Sequence, residues 1–214
     1  MKKNELAISL PESIGTELTT IQGNLMEIGV DSLLNDGVLK DIPIVSSVLG
    51  IVKTGVAVKD HLYVKKLLRF LNAFQKLDET KRLNFVSNEL SNESDKERFG
   101  EVMLNLIDKS DDSRKFPLYA NAFKLHFNDE CTYEDSLRMC TMIERTFYSD
   151  LEWINGFEDG SFNNELSSSE LYKSGFLNFS GVDGGEIGNH DSGGVIYSLN
   201  KYGFHLRKVM ENST

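Results

Sequence analysis

Prolines, thiols and long apolar runs are all scarce in this chain, and each scarcity narrows what it can be. Only three prolines occur in 214 residues, and long stretches lack any breaker, which favours helix over a many-turned β architecture. The two cysteines, Cys131 and Cys140, are nine residues apart. Helix between them would separate their Cα atoms by roughly 13 Å, beyond disulfide reach. Free, buried thiols in a reducing compartment are therefore expected. Positive charge is in deficit, with 23 Lys and Arg against 33 Asp and Glu and a formal net charge of −10. Such a chain is repelled by nucleic acid unless its basic residues are segregated. A secretory leader is not read at the start either, because Glu5, Ser9, Pro11 and Glu12 interrupt any apolar core after Met1-Lys2-Lys3. A cytoplasmic location is expected.

Catalytic signatures are missing as well. His61, His126, His190 and His205 are scattered, and no His-x-x-x-His or Cys-x-x-Cys pair has metal-ligand spacing. There is no glycine-rich phosphate cradle ending in Lys-Ser/Thr and no Gly-x-Ser-x-Gly elbow. His190-Asp191 is a tempting dipeptide, since a carboxylate can orient or charge an imidazole, but turn composition explains it better. Asp183-Gly184-Gly185-Glu186 lacks the alternating oxygen ligands of a calcium loop. Asp111-Asp112 and Glu158-Asp159 fall at element ends, where capping and solvation account for them. No catalytic residue, metal ligand or cofactor is expected, and the chain is not read as an enzyme.

What the chain does have is helical periodicity. After a loose arm of ten residues, Ile14, Leu18, Ile21, Leu25 and Ile28 predict an amphipathic helix over 11–34, with Pro11 in its first turn. A second helix is predicted from Lys59 to Leu77, with Leu62, Leu67, Leu68, Leu71 and Phe74 on one side. A shorter segment follows with Leu83, Phe85, Val86 and Leu90. Ser94-Asp95-Lys96-Glu97 reads as a capping box opening a helix that buries Phe99, Val102, Met103, Leu106 and Ile107. Another helix starts near Ser113 and carries Phe116, Tyr119, Ala120 and Phe123. Thr132-x-x-Asp135 caps a long helix continuing through Phe147 and Ile154 to Gly156.

The run from Ile42 to Leu71 is the most distinctive. Ten of the 17 residues from Ile42 to Val58 are Ala, Val, Ile or Leu, short of the ~20 a spanning helix needs, and Lys53 would cost ~2.5–3.5 kcal/mol at its centre. Interfacial insertion is easier. Val45, Val48 and Ile51 would enter the acyl boundary while Lys53, Lys59, Lys65, Lys66 and Arg69 face anionic headgroups or a protein partner. The competing reading is a buried helix pair joined near Gly50 or Gly55.

Beyond Gly156 the composition changes. FEDGSFNN, residues 157–164, reads as a linker. Ser167–Ser174 reads as a short helix, Phe176–Phe179 and Val195–Leu199 as strands, and Tyr202, Leu206 and Val209 as a closing helix. Between the strands, residues 181–194 hold six glycines. This order, and Tyr197-Ser198-Leu199-Asn200-Lys201-Tyr202-Gly203 in particular, resembles the end of a winged-helix module; a plain hairpin packed on the helical body is the alternative. Residues 157–192 set seven carboxylates against Lys173 alone, a local charge that argues against direct DNA binding. Protein recognition suits such a module better.

Lys40-Asp41-Ile42-Pro43-Ile44-Val45 and Asp60-His61-Leu62-Tyr63-Val64-Lys65-Lys66-Leu67-Leu68-Arg69-Phe70-Leu71 resemble phrases of bacterial and phage-borne helical proteins and, more loosely, of the abortive-infection alpha group. The resemblance implies a bacterial cytoplasm, phage conflict and action at the inner membrane; it supplies no catalytic residues. The expected fold is mostly α: a multi-helix body over 11–156 and a small α+β, winged-helix-like module over 165–212. The expected function is a non-enzymatic, phage-defence-like factor that binds a macromolecule or a membrane surface, peripherally at the inner membrane in the latter case. A protein-interaction adaptor with a buried apolar helix pair and a winged-helix transcription regulator are the alternatives. A protein partner is expected; its identity and the oligomeric state stay open, a homo-oligomer included.

Overall fold

The computed structural model describes residues 2–16, 42–52, 58–158, 166–186 and 193–212. The fold is mostly α, with ten α-helices and one two-stranded antiparallel sheet among the described residues. Packing divides the chain into two units, Met1–Ala120 and Asn121–Thr214. The boundary falls inside a helix, whereas the sequence reading placed it in the polar stretch 157–164. Composition marks where a chain is hydrophilic; packing decides which helices share a core.

The first unit contains α1 (Lys2–Gly15), α2 (Pro43–Val52), α3 (Val58–Gln75), α4 (Glu79–Asn84), a single π-helical turn (Phe85–Glu89), α5 (Glu93–Lys109) and the start of α6 (Lys115–Phe127). The expected loose arm is helix instead. Ala7, Leu10 and Ile14, spaced at three and four, are fully buried, and tertiary burial of that kind outweighs local propensity. Pro11 consequently lies inside α1, not in its first turn. Having no N–H, it cannot bond the Ala7 carbonyl, and Gly100 of α5 packs directly against that carbonyl. The helix stops at Gly15, not Leu34; Leu18, Ile21, Leu25 and Ile28 lie outside the described residues. Arg82 caps the end of α1: its buried guanidinium donates to the carbonyls of Ile14 at 2.5 Å and Leu77 at 3.3 Å. A cation there complements the helix dipole.

α2 is seated by a side chain from α1. Ser13 accepts from the Ile44 amide at 2.9 Å and donates to the Ser9 carbonyl at 2.8 Å, satisfying a first-turn N–H that no residue of α2 can reach. Pro43 occupies the first helical position, where its missing N–H costs nothing. Along α3, Leu67, Leu68, Leu71 and Phe74 are buried as expected, but Leu62 is 58% exposed. Leu83 is exposed too, while Phe85 and Leu90 are buried. The cap of α5 is Asn92, not Ser94. Its Oδ1 accepts from the Asp95 amide at 2.9 Å and its Nδ2 donates to the Asp95 carboxylate at 2.6 Å.

In the second unit, α7 (Tyr133–Arg145) opens with the expected Thr132/Asp135 capping box. The long helix predicted to Gly156 breaks at Thr146, which is extended (φ −107°, ψ 136°). Its hydroxyl donates to the Met142 carbonyl at 2.8 Å and lies 2.7 Å from Ser174 Oγ. Phe147 is thereby left 69% exposed rather than on a core face. α8 (Tyr148–Glu152) and a 3₁₀ turn (Trp153–Asn155) follow, then α9 (Leu166–Lys173), β1 (Leu177–Asp183), β2 (Gly194–Leu199) and α10 (Lys201–Glu211). The hairpin pairs Leu177 with Leu199 and Phe179 with Tyr197, and a bulge after Phe179 shifts Gly181 opposite Ile196. Asn200 caps α10 through the amides of Tyr202 and Gly203 and donates to the Gly175 carbonyl at 2.8 Å. Cys131 and Cys140 are free thiols, half-buried and buried respectively.

Candidate functional site

The apolar and basic halves of the run Ile42–Leu71 separate in three dimensions. Val45 and Val48, expected at a membrane or partner surface, are 5% exposed and belong to the core. The reason is α1: its Ser13 fixes the start of α2 and turns that apolar face inward. Ile51 and Lys59 lie within α2 and α3, and Lys53 lies outside the described residues. The apolar face of α3 is likewise spent on the core, with Val64, Leu67, Leu68 and Leu71 buried. The basic face remains. Lys65 and Arg69, one turn apart, are exposed and Lys66 is half-buried.

These three cations line an open groove of about 710 Å³ between α3 and the α5–α6 connection, where Asp108, Asp111 and Asp112 form the opposite wall and Phe116 closes it. Lys66 Nζ donates to the Asp108 carbonyl at 2.6 Å, tying the two walls together. The loop carboxylates are matched from within. Asp112 pairs with Arg114 at 2.6 Å, and Asp111 pairs at 2.6 Å with Lys115, whose side chain is only 1% exposed. The Arg114 hydrogen bond holds the Asp112 carboxyl below its usual range. No ion pair engages Lys65 or Arg69 among the described residues. The Tyr63 phenol faces the same groove and is pushed well above its ordinary pKa, first by burial and then by Asp108. It stays a protonated phenol rather than a base.

Comparison of the chain with protein families, characterised proteins and solved structures finds no match. The site must be read from its own geometry. The sequence singled out Lys65, Lys66 and Arg69, and the fold brings them together. It missed Leu62 and Tyr63 as groove residues, and the Ser110–Ser113 wall; Asp111-Asp112 were visible only as a helix-end pair.

A second group of charges lies in the second unit and joins the start of α7 to the start of α10. Asp135 Oδ1 accepts from Lys201 Nζ at 2.8 Å and from the Tyr202 hydroxyl at 2.7 Å. The Lys201 bond, more than any other contact, draws the Asp135 carboxyl far below the usual range. Nearby, Cys131 Sγ lies 3.4 Å from Ser136 Oγ, and burial raises its thiol pKa. Burial also lowers the pKa of His205. A protonated thiol, an imidazole biased to neutral and a carboxylate engaged by its own neighbours describe a structural clasp. Because the Asp135 carboxyl titrates lower folded than unfolded, its stabilisation is full above about pH 4 and fades as pH falls further. Asp135→Asn should therefore cost about 1–2 kcal/mol at pH 7, the modest end for a bond to a charged group since Lys201 is solvated. Urea unfolding of both proteins should show that difference shrinking below pH 4.

Two features of the sequence reading are accounted for by local pairing. Asp183 closes a local turn by accepting from the Gly185 amide at 2.9 Å. Lys173 is paired with Glu170 at 2.7 Å, so α9 presents no unpaired cation. His190 and Asp191 lie outside the described residues. Among the described residues, no three of His, Cys, Asp and Glu are placed to share a metal ion, and no helix is long and apolar enough to cross a membrane.

Proposed function

We propose that this chain is a non-enzymatic binding factor that seats a segment of a partner protein in the groove between α3 and the α5–α6 connection. One observation carries the reading: Lys65 and Arg69 stand exposed beside an open groove with no ion-pair partner among the described residues, although the chain as a whole has a net charge of −10. Unspent charge next to a concave surface is what a partner can use for orientation and speed of encounter. The non-enzymatic part rests on the groove's chemistry: its described residues include no histidine or thiol, its phenol stays protonated, and two of its three carboxylates are engaged by Arg114 and Lys115. The resemblance to the abortive-infection alpha group gives the reading a setting, a bacterial cell under phage attack.

The adaptor version is favoured over interfacial insertion in the membrane. An interfacial helix needs a free apolar face, and the faces that α2 and α3 would offer are buried. The test is an unbiased selection from a displayed random-peptide library on the full chain, repeated on the Lys65→Glu/Arg69→Glu variant. Peptides that bind the first and not the second are expected; a selection yielding none that depend on these two residues removes the proposal.

A further inference from the structure

The groove also states what kind of segment fits it. We infer that its occupant is a short extended acidic stretch with carboxylates at alternate positions and one apolar anchor, a conclusion that rests on the groove being a protein-binding site. Lys65 and Arg69 are four residues apart on one helix, so about 6 Å separates them along the axis. In an extended peptide, side chains two residues apart share a face and lie about 6.7 Å apart. Two carboxylates in an acid-x-acid phrase therefore match the two cations almost in register. Leu62, 58% exposed, sits on the same helix about 4.5 Å before Lys65 along the axis. An apolar residue two places beyond the acidic pair would lie against it, giving apolar-x-acid-x-acid, read in either chain direction.

Charge decides the sign of the occupant. Asp111 and Asp112 are matched by Lys115 and Arg114, which leaves Lys65, Lys66 and Arg69 facing Asp108 alone among the described residues. The groove is thus a positive pocket on an acidic protein. Neighbouring molecules of this chain would be repelled in general and drawn in only by a segment whose carboxylates reach that pocket. A bilayer offers anionic headgroups too, but it is flat, and among the described residues Leu62 is the sole exposed aliphatic side chain lining the groove.

The experiment is fluorescence anisotropy on the full chain with a labelled decapeptide containing Leu-Ser-Glu-Ser-Glu, against the same peptide with glutamines, and flotation with phosphatidylglycerol vesicles. At low salt, where the screening length is about 30 Å, the acidic peptide should bind about tenfold or more tightly than the glutamine peptide. Lys65→Glu/Arg69→Glu should weaken it by a similar factor, with helical content unchanged by circular dichroism; both positions are exposed. Leu62→Ser should weaken both peptides equally. Equal binding of the two peptides, no binding of either, indifference to the charge reversal, or binding of vesicles in place of peptide would each overturn the inference. The outcomes separate cleanly from the selection described above. Groove-dependent binders that lack acidic residues would refute the acidic occupant and leave the binding site standing, whereas an absence of groove-dependent binders would refute the site itself.

Discussion

Gly100→Ala should destabilise the first unit by about 3 kcal/mol or more, one of the larger costs a single methyl group can impose. A Cβ at position 100 would stand 1.9 Å from the Ala7 carbonyl oxygen and 2.5 Å from its carbon. Both are backbone atoms, so no rotamer change relieves the clash, and α1 and α5 would have to move apart. Moving apart opens gaps beside Ala7, Leu10, Phe99 and Met103, all within 1% of full burial, and each gap forfeits dispersion contacts. Helix propensity works the other way, since alanine is preferred to glycine by about 1 kcal/mol in a helix, and the packing loss has to exceed that gain. Gly184→Ala is the control. A Cβ there meets nothing within 4 Å, and the variant should unfold within about 0.5 kcal/mol of the parent. Thermal and urea unfolding of the three proteins would decide it: a Gly100→Ala variant as stable as the parent would mean that α1 does not cross α5 at this point.

That crossing also shows where sequence pattern stops being informative. The periodicity of α3, α5 and α6 is carried by large apolar residues at three and four, and those helices are legible because their buried faces are continuous: Leu67, Leu71 and Phe74; Phe99, Met103 and Ile107; Phe116, Tyr119 and Phe123. The Thr132/Asp135 cap and the two strands flanking the glycine-rich tip are legible for local reasons, hydrogen-bonding chemistry and alternation. One misreading is local, the Ser94 cap that is Asn92 instead; the larger ones are tertiary. Pro11 looked like a helix start because a proline inside a helix costs about 3 kcal/mol; nothing local shows that Gly100 would come from another helix to pack beside the carbonyl it leaves open. Thr146 looked continuous with the helix before it, and its partner Ser174 is 28 residues away. The groove follows the same logic. Its basic wall lies on one helix and was visible as Lys65, Lys66 and Arg69. Its acidic wall comes from a connection more than 40 residues later, and the internal pairing of Asp111 and Asp112, which gives the pocket its sign, is a matter of geometry alone.

Val48→Asp separates the two meanings of the apolar run most sharply. Val48 is 5% exposed in α2, alongside Ile44 at 0% and Val45 at 5%. A carboxylate placed there enters the apolar surroundings those residues create, so it must either ionise in the core or take up a proton, and either choice costs several kcal/mol, about 3–5 by analogy with other buried charges. Loss of the valine's own transfer free energy adds about 1.5–3 kcal/mol. Together these approach the whole stability of an ordinary domain, roughly 5–15 kcal/mol, so the first unit should be largely unfolded at neutral pH. The loss should be partly recovered on acidification, because protonating the aspartate removes the charge that the core rejects; the buried acid titrates higher folded than unfolded, so its penalty is full above the folded pKa and relaxes as pH falls through it. Circular dichroism and urea unfolding between pH 4 and pH 8 would read both effects. A variant that folds normally and loses only an interaction would mean that Val48 serves a surface after all. Lys65→Glu is the complementary case: it should leave stability within about 0.5 kcal/mol of the parent, as exposed sites generally do, while reversing a charge on the groove wall and weakening the peptide binding proposed for it.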